Sequence, residues 1–100
     1  MLHTVNKSPF ERNSLDTCLR FAKPGSAILL IEDGVYAAMK GTAVEGKIRQ
    51  ALEKHAIYAL SADVKARGIE ESRLIERVQV VDYGGFVDLA VEHDKVQAWL

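Results

Sequence analysis

Ala27-Ile28-Leu29-Leu30-Ile31-Glu32-Asp33-Gly34-Val35-Tyr36-Ala37-Ala38 is the stretch that decides the fold class. A short apolar run stops at an acidic pair and a glycine, and helix-forming residues follow at once. The run is too short to span a membrane and shows no helical gap. It reads as a strand buried on both faces, which in a soluble domain implies a parallel sheet between layers of helix. Asp33 and Gly34 then stand where strand hands over to helix, at the sheet edge where α/β proteins build their sites. Tyr36 joins them there, but no nucleophile does.

The same alternation extends outward. Strands are predicted at Leu2–Val5, Ala27–Ile31, Ile57–Leu60, Val78–Val81 and Val96–Leu100. Between them, Leu15, Cys18, Leu19 and Ala22 recur at helical spacing, so Ser14–Ala22 reads as a helix that Lys23-Pro24-Gly25 ends. Further helical segments are expected at Val35–Met39, Gly46–His55, Asp63–Arg67, Glu70–Ile75 and Phe86–Val91. The class is α/β: one three-layer domain over residues 1–100 with a mainly parallel sheet of about five strands and right-handed crossovers. Strand order is not legible in this pattern.

The chain has 100 residues, 48% of them hydrophobic, with 13 basic and 14 acidic side chains and a net charge of −1. That apolar fraction is high for a small soluble domain, so part of it is expected to be buried against other subunits. Near-neutral charge without basic runs argues against nucleic acid or an anionic membrane as partner. One cysteine and three scattered histidines (His3, His55, His93) make neither an internal disulfide nor a metal cluster, and no cofactor is expected. Lys7, Pro9, Glu11 and Arg12 stand where a signal peptide would be apolar, which points to the cytoplasm.

Cys18 is the one candidate sulfur-handling thiol, yet it shares a helical face with Leu15 and Leu19 and reads first as a small core residue. It lies past the first helical turn, where activation by the helix dipole is weak. Asp33 and Asp82, with Gly34 and Gly84-Gly85, read first as caps and turns at strand ends. Glu32 and Asp33 are chain neighbours that point to opposite faces, and no glycine-rich phosphate loop is present. His3, alone on the first strand, is assigned no role. Trp99 and Leu100 would fray into solvent unless covered, either by their own domain or by another subunit for which they would be anchors.

Three segments together carry a family resemblance: Met1-Leu2-His3-Thr4-Val5-Asn6-Lys7-Ser8-Pro9-Phe10, Leu29 to Ala38, and Val80-Val81-Asp82-Tyr83-Gly84-Gly85-Phe86-Val87-Asp88-Leu89. They resemble the DsrH/TusB family of small sulfur-relay subunits, over essentially the whole chain, and Gln97-Ala98-Trp99 fits it too. The resemblance implies a DsrE-like fold and a hetero-oligomer of three homologous subunits, two copies each. These are DsrE, DsrF and DsrH in sulfur oxidation, with the carrier DsrC, or TusD, TusC and TusB in tRNA 2-thiouridine synthesis, with the carrier TusE. It also implies that the essential persulfide cysteine belongs to the DsrE/TusD subunit. The segment Ser14-Leu15-Asp16-Thr17-Cys18-Leu19-Arg20-Phe21-Ala22, thiol included, is similar to DsrH chains. The expected function is therefore an accessory DsrH-type subunit of sulfur oxidation. A TusB-type subunit of tRNA thiolation is the alternative, and a persulfide sulfurtransferase acting through Cys18 the second.

Overall fold

A computed structural model describes residues 1–100. Five strands form one sheet, all parallel, in the order β4-β3-β2-β1-β5. They are β1 (Leu2–Val5), β2 (Ala27–Leu30), β3 (Ala56–Leu60), β4 (Gln79–Val81) and β5 (Val96–Trp99). The helices are α1 (Ser14–Phe21), α2 (Glu45–Ala51), α3 (Ser61–Ala66) and α4 (Tyr83–His93), with 3₁₀ segments at Glu32–Ala38 and Glu71–Arg73. β2 lies at the centre and all four of its residues are buried, which explains its unbroken apolar sequence.

Alternation along the strands divides the core in two. Val5, Ile28, Leu30, Ile57 and Ala59 face one side, where they meet Leu15 and Cys18 of α1, Ile48 of α2, Val64 of α3, and Val35 and Ile75. Leu2, Ala27 and Leu29 face the other, against Leu89 of α4, with Ile31, Tyr58, Val81, Phe86 and Ala90 at the margin. Each large aliphatic side chain so buried contributes roughly 1.5–3 kcal/mol.

The predicted strands are all present; several helical segments differ from expectation, each for a local reason. The helix expected at Val35–Met39 is a 3₁₀ turn that starts at Glu32 (φ +49°) and ends before Met39. Met39 is instead bridged to Leu74, with Ile75 N–H donating to Ala38 O at 2.8 Å and Lys40 N–H to Arg73 O at 2.8 Å. That pairing also shortens the helix expected at Glu70–Ile75 to the single turn Glu71–Arg73. α2 stops at Ala51 rather than His55 because the chain tightens into a turn whose Lys54 carbonyl accepts the Gly25 N–H at 2.8 Å. α4 begins earlier than Phe86, with both glycines inside its first turn, because Asp82 caps it: Oδ1 accepts the Gly85 N–H at 2.8 Å.

Gly34 lets the loop after β2 lie directly on the end of β1. A Cβ built there would stand 2.1 Å from the Val5 carbonyl oxygen. Gly46, in the first turns of α2, has nothing within 4 Å. Gly34→Ala is therefore expected to destabilise the fold by about 3 kcal/mol, whereas Gly46→Ala should stabilise it by up to ~1 kcal/mol through better helix propensity. Urea denaturation of the two variants checks the contrast; equal effects would refute the close approach at Gly34.

Candidate functional site

The carboxyl ends of β1, β2 and β3 bring together residues from three separate parts of the chain. Asn6 follows β1, Glu32 and Asp33 follow β2, and Asp63 and Arg67 belong to α3 and its end after β3. The Asn6 amide donates to Glu32 Oε2 at 3.3 Å, and Asp63 Oδ2 accepts the Glu32 backbone N–H at 2.7 Å. Arg67 Nε donates to Asp33 Oδ1 at 2.9 Å, and a second guanidinium nitrogen donates to the Asp63 carbonyl at 3.3 Å. The same nitrogen stands 3.6 Å from Asp63 Oδ1, so one guanidinium ties both carboxylates.

This geometry corrects the capping role expected of Asp33. Because the 3₁₀ segment starts at Glu32, three residues before the expected Val35, Asp33 lies inside it and no side chain of its own caps its first turn. The free N–H of Glu32 is met by Asp63 instead, thirty-one positions along the chain. Asp33, more than half exposed, turns outward to Arg67. Gly34 is buried in the turn, and Asp82 caps α4 as described. The signal for Asp63 was available: it follows the end of β3 as Asp33 follows the end of β2. Arg67 was not legible, because only the fold sets α3 beside the β2 loop.

No nucleophile joins this cluster. Cys18 points into the α1 side of the core with 0% exposure, and burial pushes its thiol up to about 12. No three His, Cys, Asp or Glu side chains converge as a metal site. A cleft of about 700 Å³ lies at the opposite end of the sheet, between α1 and α2, lined by Asp16, Arg20, Lys47, Lys54 and His55 among others. There Lys47 pairs with Asp16. Arg20 stands in the last turn of α1, where a cation complements the helix dipole.

The chain end is held on its own domain. Trp99 Nε1–H donates to His3 Nδ1 at 3.0 Å, and its ring stacks on His3 and on Phe21, with centroids 6.1 Å apart in both cases. The Ser14 hydroxyl donates to the Leu100 carbonyl at 3.2 Å. His3, to which the sequence assigned no role, is thus the buried acceptor that positions Trp99; the Leu100 side chain stays exposed.

Comparison with known proteins matches this architecture. A family model described as DsrH like protein covers residues 7–96. Protein TusB of Pectobacterium parmentieri is 42% identical over 101 residues, covering 99% of this chain and 100% of its own. Protein TusB of Escherichia coli O1:K1 / APEC is 37% identical over 99 residues with the same coverage. Among solved structures, the ychN protein from E. coli superposes with a TM-score of 0.77 at 24% identity, covering 97% of each chain. A protein of unknown function from Methanobacterium thermoautotrophicum gives 0.75 at 16% identity, covering 97% and 96%. The fold is the DsrE-like one shared by these two structures.

Two outcomes follow from the geometry of the strand ends and the tail. Asp63→Ala should cost about 1–2 kcal/mol, because it leaves the Glu32 N–H uncapped, while Asp33→Ala should cost less than about 1 kcal/mol, as expected of an exposed ion pair. Thermal melts of both variants test the ordering; Asp33→Ala costing more would restore the capping role to Asp33. The second concerns pH. Burial, first, and then the chain's amino terminus and His55 hold the His3 pKa below the ordinary 6.5, and burial followed by Lys54 does the same for His55. The unfolded chain therefore binds more protons over that interval, and stability is retained above about pH 6.5 and falls as the pH drops through the folded-state values. His3→Gln should flatten part of that slope in melting temperature against pH; an unchanged slope would show that His3 does not contribute.

Proposed function

Because the chain belongs to the DsrH-like family, we propose that it serves as the TusB-type member of a hetero-oligomeric sulfur relay, completing the assembly without carrying sulfur itself. The observation that carries the second half is the state of Cys18. Full burial pushes its pKa up to about 12, so the thiol stays protonated at neutral pH. A relay cysteine must meet a donor persulfide and then an acceptor thiol, and so needs both exposure and thiolate character. Packed against Leu15 and the sheet, Cys18 has neither.

The full-length relatives named Protein TusB support tRNA thiolation over sulfur oxidation as the pathway. Cys18 had favoured DsrH on sequence, but a thiol serving as core filler says little about which pathway is served. In this reading the partners are TusC-like and TusD-like subunits, two copies of each chain, in the cytoplasm. The TusD-like chain bears the persulfide and a TusE-like carrier receives it. No helix is long and apolar enough to cross a membrane. The ion pairs at the strand ends, with no thiol among them, support a structural contribution from that edge.

Deleting the encoding gene should abolish wobble 2-thiouridine, read by mass spectrometry of digested tRNA, and Cys18→Ser should restore most of it. The serine is expected to cost no more than about 1–2 kcal/mol if its hydroxyl bonds a carbonyl one turn back. Failure of Cys18→Ser to complement, with assembly intact, would make Cys18 a working relay thiol. Unchanged 2-thiouridine in the deletion strain, with sulfur oxidation lost, would return the chain to the DsrH pathway.

A further inference from the structure

β5 lies at an edge of the sheet, with β1 as its one strand partner. Val96, Gln97 and Ala98 leave their side chains exposed, so Trp99 is the residue by which the strand grips the core layer under α1. There the indole Nε1–H meets Nδ1 of His3, a residue only 4% exposed, and the ring stacks on His3 and Phe21. At the other end of the strand, Asp94 adopts a left-handed backbone conformation (φ +68°) that a residue other than glycine takes up at a cost. The Lys95 N–H beside it reaches back to the His93 carbonyl at 2.6 Å. The strand thus has a latch at one end and a strained turn at the other.

That latch closes in one protonation state. An indole nitrogen donates and never accepts. Nδ1 of His3 must therefore be bare, with the ring proton on Nε2; a proton on Nδ1 would set two donors against each other across 3.0 Å. The surroundings of His3 also resist positive charge. β2 and β5 place Ile28 and Gln97 beside it, neither of them charged. α1 turns Leu15 and Cys18 toward the sheet, while its Asp16 and Arg20 line the cleft with α2. Burial, first, and then the amino terminus and His55, both positive when protonated, hold the His3 pKa below 6.5, and no carboxylate is among the groups that act on it. We propose that β5 is a proton-released strand: a proton taken from solvent at His3 Nδ1 removes the acceptor for Trp99, and the segment from Val96 onward swings out about Asp94 while β4-β3-β2-β1 keep their order. Release relieves the Asp94 backbone and leaves β1 as the open edge of the sheet. The docked strand binds fewer protons than the released one, so it stays docked above about pH 6.5 and is released as the pH falls through the docked His3 value. The device is local to one strand and does not depend on the subunit reading.

Trp99 is the one tryptophan of the chain, so its fluorescence reports the latch directly. In the full chain, titrated from about pH 8 to about pH 5, the emission maximum should move to the red and quenching by acrylamide should rise severalfold, with the far-ultraviolet circular dichroism of the helices retained. His3→Gln, whose amide oxygen accepts from the indole without titrating, should keep Trp99 covered across the range. In Trp99→Phe, which removes the donor, the His3 imidazole followed by nuclear magnetic resonance should titrate closer to 6.5 than in the wild type. A Trp99 that stays covered throughout overturns the proposal. Loss of circular dichroism at the pH that exposes Trp99 also overturns it, because the event is then global unfolding. A release that survives His3→Gln and disappears in His55→Gln overturns the role of His3 and moves the proton to His55, whose own Nδ1 is buried without a partner. An unchanged His3 titration in Trp99→Phe overturns the latch as well, and decides the matter even if His3→Gln fails to fold.

Discussion

A strand buried on both faces must be roofed on both, and β2 imposes that requirement on the whole molecule. Ala27, Ile28, Leu29 and Leu30 are all buried, the last three completely, so water must be kept from both sides of the sheet at its centre. On one side the chain has ample material, because every connection from β1 to β4 crosses there. On the other it has only α4, the one connection that carries the chain across the sheet from β4 to β5. A single helix can seal Leu2, Ala27 and Leu29 but has no second layer above it. The exposed back of α4 is thus a consequence of strand order.

The carboxyl ends of the strands show a related economy. In open α/β sheets this edge holds the chemistry, and the loop after β2 does approach it closely, with Gly34 against the Val5 carbonyl. What occupies the edge here is a closed set of ion pairs and hydrogen bonds. Arg67 holds Asp33 and Asp63, and Asp63 in turn satisfies the Glu32 N–H. Such a set fixes loops and gives a defined surface, yet it offers nothing that can take up or pass a sulfur atom. The one thiol sits a layer away, under α1, where burial keeps it protonated.

The two ends of the chain are joined by a small aromatic stack. His3 lies on β1 and Trp99 on β5, its neighbour, so the last strand is tethered to the first by a hydrogen bond as well as by the sheet. An edge strand without such a tether would fray, since β5 has partners on one side only. Trp99 is thereby held on its own domain, and the Leu100 side chain stays exposed.

The α/β class, the five strands and the inward face of α1 were legible in the sequence, because they depend on local periodicity: an unbroken apolar run for β2, a 3.6-residue stripe for α1, and glycine or proline at the stops. The placement of Cys18 in that stripe already marked it as a core residue. What depended on strand order was not legible. The replacement of two short helices by the Met39–Leu74 bridge, the Arg67 clamp on Asp33, the capping of Glu32 by Asp63 and the contact of His3 with Trp99 join residues that are far apart in the chain. Local sequence carries no information on which of many distant polar groups will meet. The uneven roofing of the sheet belongs to the same class, since only the order β4-β3-β2-β1-β5 sends a single helix to the second face. Periodicity determined which residues face inward; tertiary structure decided what they face.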